Sequence, residues 1–110
     1  MEKAKHDRLK KAGWTVGTTA EFLGLTDEEA ALIEMKLALA HSLREHRDAQ
    51  HLTQEQLARM LGSSQSRVAK MEAADSSVSM ELLVRSLLML GATREEVGRV
   101  IARDSTVPAA

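Results

Sequence analysis

The sequence predicts an all-α fold of four or five helices preceded by a short N-terminal arm. Three observations carry that prediction. Ser/Thr-x-x-Glu/Gln boxes, in which a hydroxyl and an acid or amide satisfy each other's free backbone N–H groups, stand before apolar runs at Thr18–Glu21, Thr26–Glu29, Thr53–Gln56 and Thr93–Glu96. The apolar residues between these boxes recur at helical rather than alternating spacing. Hydrophobic residues make up 44% of the 110-residue chain but aromatics only 2%, so Leu, Ala, Met and Val must fill the interior, a composition that favours helices.

Taken in order, residues 1–27 read as the arm, 28–104 as the folded domain and 105–110 as a frayed tail. In the arm, WTVG at 14–17 reads as a short extended piece, and Thr18 opens a short AEFLG turn ending near Gly24. Trp14 either anchors a partner or closes the end of the core. Thr26 opens a long helix running to about Gln50. On it Ile33, Leu37 and Ala40 form one apolar line, with Leu32, Met35, Leu39 and Leu43 beside it. That face either shares a core with residues 14–25 or is a surface for a partner. Thr53 opens QEQLARML, which stops at Gly62. A short helix follows, Ser64–Ala73, entered from the tight turn at Gly62. Ser79 caps MELLVRSLLML, with Gly91 past its end where a positive φ is favoured, and Thr93 opens REEVGRVIAR.

Several function classes fall away. The chain has no Cys, hence no disulfide, thiolate metal site or cysteine nucleophile. His41, His46 and His51 recur every five residues, about 500° apart on a helix, so they share no face and no metal site is expected. Ser63, Ser64 and Ser66 lack the G-x-S-x-G elbow and a base to activate them. No enzyme activity and no cofactor are expected. The charged opening MEKAKHDRLKKAG has no signal-peptide core, and no apolar run is long enough to span a bilayer, so the expectation is a cytoplasmic protein without a membrane partner.

Net charge is −1, but it is unevenly spread: residues 1–12 hold five basic and two acidic groups, residues 21–36 five acidic and one basic. A positive face must therefore come from arrangement, and a few well-placed phosphate contacts suffice. Asp27–Glu29 reads first as acidic charge complementing a helix N-terminus.

The informative stretch is TQEQLARMLGSSQSRVAKMEA, residues 53–73. Counting Gln54 as first, Ala58 is fifth, Gly62 ninth, Val68 fifteenth and Met71 eighteenth. Ala58 must be small where two helices cross. Gly62 permits the left-handed backbone of a sharp corner. Leu57, Leu61, Val68 and Met71 wedge the helices together, which leaves Ser64, Gln65, Ser66, Arg67 and Lys70 facing outward near a helix N-terminus. Gln pairs with adenine N6/N7 in the major groove, Lys with guanine O6/N7 and Ser with several base edges.

From LREHRDAQHLTQEQLA through LLVRSLLMLG, about half the chain resembles the lambda-repressor-like (Xre/Cro) helix-turn-helix family of bacterial and phage regulators. The resemblance implies sequence-specific binding of duplex DNA at a pseudo-palindromic operator, by a homodimer that represses transcription. It assigns base reading to Ser64, Gln65, Ser66 and Lys70, and backbone contact to Gln54 and Arg67. It also implies a structural pair between Arg47 and Glu72, beside Ala58, Gly62 and Val68 as scaffold positions. Where the family often has an apolar residue this chain has Ser63, whose hydroxyl is expected to cap the second helix. The dimer surface is expected around Leu87, Leu90, Val97 and Val100, or in the arm.

Size, the single domain and the preceding arm also resemble the HigA-type antitoxins, which would make the protein a repressor of its own operon and the partner of a RelE-like ribonuclease toxin. The alternatives are a stand-alone Xre-type regulator, or an interaction module that no longer reads DNA.

Overall fold

The computed structural model describes residues 23–103, which form five α-helices and no strand. They are α1 (Asp27–Ala49), α2 (Gln54–Leu61), α3 (Gln65–Glu72), α4 (Met80–Met89) and α5 (Arg94–Ala102). The all-α expectation holds. The extended piece at 14–17, Trp14, most of the turn before Gly24 and the tail lie outside the described residues.

Helices α1, α2, α4 and α5 begin where the sequence chemistry places them. Thr26, Thr53 and Thr93 have extended backbones, and their hydroxyls accept the N–H groups of Glu29, Gln56 and Glu96 at 3.0–3.1 Å. The acid or amide three residues on accepts the cap's own N–H at 2.7–2.9 Å. These reciprocal bonds satisfy two orphan donors at each helix start. Ser79 caps α4 by accepting from the Leu82 N–H at 3.1 Å. Gly62 ends α2 at φ 67°, and Gly91 follows α4 at φ 102°, both in the region glycine tolerates without a Cβ penalty.

At 23 residues, α1 is about 34 Å long and serves as the strut on which α3, α4 and α5 pack. Its second half carries Leu39, Ala40 and Leu43 into the core, where they meet Leu57, Val68, Met71, Leu83 and Leu87, all at most 2% exposed. Leu57, Val68 and Met71 thus form the expected wedge, with Leu61 packed at its edge. Two side chains close the ends: Gln50 Nε2 donates to the Leu90 carbonyl at 2.6 Å, and Lys36 Nζ to the Asp75 carbonyl at 2.8 Å.

Leu32, Ile33 and Leu37, toward the start of α1, remain exposed. Leu87, Leu90, Val97 and Val100, expected at a dimer surface, are placed otherwise. The first three are buried in the protomer's own core and Val100 packs against it, because both C-terminal helices turn their apolar faces onto the rest of the bundle. The apolar residues that α4 leaves outside are Leu88 and Met89.

Candidate nucleic-acid interface

The bihelical unit α2–α3 is assembled from its turn outward. After Gly62 reverses the chain, the Ser63 N–H donates to the Ala58 carbonyl at 2.8 Å and closes the end of α2. That use of Ser63 leaves Ser64, with φ −108° and ψ 158°, as the cap of α3, its hydroxyl accepting the Arg67 N–H at 3.2 Å. The expected cap at Ser63 is thereby corrected by one residue: the backbone needs one step beyond the left-handed glycine before it can enter a new helix. Ala58 lies 3% exposed in the packed interior, where a longer side chain has no room.

Only Val68 and Met71 of α3 are fully buried, while Gln65, Ser66, Arg67 and Lys70 are exposed, as is the cap Ser64. The outward residues of the sequence reading therefore share one solvent-facing surface at the start and along the flank of α3. The free N–H groups of a helix N-terminus point the same way, a disposition suited to phosphate oxygens.

The helix is fixed by a buried ion pair. Arg47, near the end of α1, donates from Nε to Glu72 Oε2 at 2.5 Å and from an Nη to Oε1 at 3.1 Å, a two-pronged contact. The other Nη donates to the Leu52 carbonyl at 2.8 Å. The two side chains are 12% and 5% exposed, so the pair is largely shielded from solvent. Glu72 holds the guanidinium above its ordinary pKa, chiefly through that hydrogen bond and secondarily through its charge.

Glu72 has a second role that its place in the sequence does not reveal. Its Oε1 also accepts from Gln54 Nε2 at 3.0 Å, and Gln54 Oε1 accepts from Gln65 Nε2 at 2.6 Å. Gln54, assigned to DNA backbone alone, thus sits between the two ends of α3. Its partners are 18 and 11 residues away; only two amides flanking a turn hinted at it in sequence.

Just beyond α3, Asp75 accepts from the Ser77 N–H at 2.9 Å and hydroxyl at 2.7 Å, which lowers its pKa below the usual carboxylate value. Lys70 and Lys36 act in the same direction.

The three histidines lie apart. His41 faces Glu45 at 3.3 Å, His46 Nδ1 is 2.9 Å from the Ser42 carbonyl, and His51 occupies the turn after α1. Among the described residues no three His, Cys, Asp or Glu side chains gather to hold a metal, and no helix is long and apolar enough to cross a membrane.

A helix-turn-helix family model matches residues 43–97, half of the chain. No curated protein and no solved structure is significantly similar. The matched segment runs from the second half of α1 into α5 and contains the whole α2–α3 unit with its Arg47–Glu72 anchor. With its two-helix unit, glycine corner and outward polar face, the chain belongs to the helix-turn-helix family of Xre and lambda-repressor-like DNA-binding transcriptional regulators.

Proposed function

We propose that the protein is an operator-binding repressor that lays α3 in the major groove. Ser64, Gln65, Ser66 and Lys70 read base edges, while Gln54 and Arg67 hold the phosphate backbone. The observation that carries this reading is the division of α3: Val68 and Met71 are fully buried while its polar and basic residues stand in solvent. One such helix covers only a few base pairs, so a homodimer on a pseudo-palindrome is required, with half-sites about 34 Å apart. Fluorescence anisotropy on selected duplexes tests the reading. Gln65→Ala costs about 1–3 kcal/mol and relaxes preference at one position, whereas Arg67→Ala weakens all sequences alike and lowers the salt slope by about 1. Unchanged binding by both variants overturns the assignment. Sedimentation on the same duplexes counts the copies bound.

We further propose the antitoxin role in a HigBA-type pair, with a RelE-like toxin as partner and the cytoplasm as location. Its support is the first half of α1, where exposed Leu32, Ile33 and Leu37 follow the acidic turn Asp27–Glu29, a surface suited to a basic protein. A RelE-like reading frame beside the gene and co-purification of its product support the role, and an isolated gene favours a stand-alone regulator. The near-neutral charge favours, as a second reading, an interaction module without DNA affinity. A steep salt dependence of duplex binding excludes that reading.

A further inference from the structure

We infer that Lys36 is a second anchor of α3: it holds the Asp75 carbonyl, fixes the left-handed exit that Ala74 makes without a glycine, and so sets the pose of Lys70 toward DNA. This inference rests on the DNA-reading role of α3 proposed above. Helix α3 ends in a double closure. The Asp75 N–H donates to the Lys70 carbonyl at 3.0 Å and the Ala74 N–H to the Met71 carbonyl at 3.2 Å. Such a reversal pivots on a residue in the left-handed region, most often glycine. Gly62 and Gly91 serve at the ends of α2 and α4, but here the pivot is Ala74, at φ 54°. Its Cβ is crowded in that backbone, so the conformation persists only where the surroundings over-determine it.

Two contacts do so. Ala74 packs against the core, and Lys36 Nζ donates to the Asp75 carbonyl at 2.8 Å. That carbonyl also accepts the Val78 N–H at 2.9 Å and the Asp75 carboxylate accepts from Ser77, but those bonds lie within the loop. Lys36 reaches it from α1, across 39 residues of chain. Asp75 is therefore held at both ends of its backbone, its N–H by α3 and its carbonyl by α1. Lys36 and Arg47 stand about three turns apart, so they lie on the same face of α1. Arg47 holds Glu72 in the last turn of α3, and Lys36 holds the chain just beyond it. A helix held at one point can pivot there; a second hold on the same strut removes that freedom. The start of α3 is tied through Gln54 as well, so Lys70, in the last turn, depends most on the exit. Lys36 lies ahead of the matched residues 43–97, so this hold comes from outside the family segment. Lys36 is thus a positioning residue, acting on DNA through α3.

Lys36→Met removes the donor and keeps an apolar stem of similar length. Binding to a randomised duplex pool, read by sequencing the bound fraction, reports base preference position by position. At the position that Lys70→Ala erases, Lys36→Met is expected to lower the preference by about threefold or more. The position that Gln65→Ala erases keeps its preference. Lys36→Arg, which can also donate to a carbonyl, restores the first preference. So does Ala74→Gly in the Lys36→Met background, because a glycine holds the left-handed exit without help. A purely structural role for Lys36 weakens every position alike, in step with a lower melting temperature, and leaves Ala74→Gly without selective effect on the Lys70 position. That result overturns the positioning role. A readout without DNA separates this from failure of the DNA reading itself. In Lys36→Met the Asp75 amide, bonded to the Lys70 carbonyl, should exchange its hydrogen about tenfold faster or more than in the parent protein. An unchanged rate overturns the anchor. Absence of any enriched sequence with the parent overturns the DNA reading and the pose of Lys70 together, while the exchange rate still decides whether Lys36 holds the exit.

Discussion

Arg47 grips Glu72 with two nitrogens across 25 residues of chain, joining the last turn of α1 to the last turn of α3. Helix α3 itself has eight residues, too few to be stable alone in water. Its pose therefore depends on tertiary contacts, and this pair supplies the charged one, beside the hydrogen bonds of Gln54.

Removing one partner should be far worse than removing both. Arg47→Met strands a carboxylate among buried neighbours and is expected to cost about 3–5 kcal/mol, measured by urea unfolding. The double variant Arg47→Met with Glu72→Leu should recover a large part of that loss. A double variant as unstable as the single one would show that the pair is not the source of the cost.

Ala58→Leu inserts three carbons at a position with 3% exposure and should destabilise by about 1–3 kcal/mol, lowering the melting temperature. Duplex binding should fall with it, since the angle between α2 and α3 opens. An unchanged melting temperature contradicts the crossing argument.

Among the described residues two that are not glycine, His51 at φ 58° and Ala74 at φ 54°, hold left-handed backbones. Ala74 follows the end of α3, where its N–H donates to the Met71 carbonyl at 3.2 Å. Ala74→Gly relieves the Cβ strain and should stabilise by about 1 kcal/mol, less a few tenths for the freer unfolded chain. Gly62→Ala is the mirror experiment: a Cβ there meets nothing within 4 Å, so the cost of about 1 kcal/mol is that of φ 67° alone.

Acid should weaken the fold through the caps. Glu96 is held below its ordinary value of 4.5 by the Thr93 N–H it accepts, and Asp75 below 3.8 by Ser77. Both pKa values are lowered by folding, so their stabilisation is complete above the ordinary values and is lost as pH falls through the depressed ones. The melting temperature should therefore hold from neutral pH down to about 5 and drop below about 4. Glu96→Gln keeps a competent capping partner but cannot titrate, and should make that drop shallower. An unaltered pH profile removes Glu96 from the cause.

The helices were legible because their start signals are local: Thr26, Thr53, Ser79 and Thr93 each act within three residues. The wedge of Leu57, Val68 and Met71 was legible because a glycine corner leaves two short helices few ways to meet. What escaped was set by neighbours distant in sequence. Leu87, Leu90 and Val97 have the pattern of an interface, and only the placement of α4 and α5 against the bundle shows that the protomer itself buries them. The Gln54–Glu72 and Gln65–Gln54 bonds likewise exist only after the turn has closed. At Ser63 the error was one residue, the step that a left-handed glycine imposes.

The split character of α3 also has an evolutionary consequence. Val68, Met71 and Glu72 secure the helix from within, whereas Ser66, Arg67 and Lys70 touch solvent. The second group can drift without cost to folding, so paralogues can acquire new binding sites by exchanging a few surface letters on an unaltered frame. Beside Ser64, which caps the helix, Gln65 is the exception among the outward residues. Tied to Gln54, it cannot change alone without disturbing a partner, and a lineage that rewires its target sequence should alter those two glutamines together.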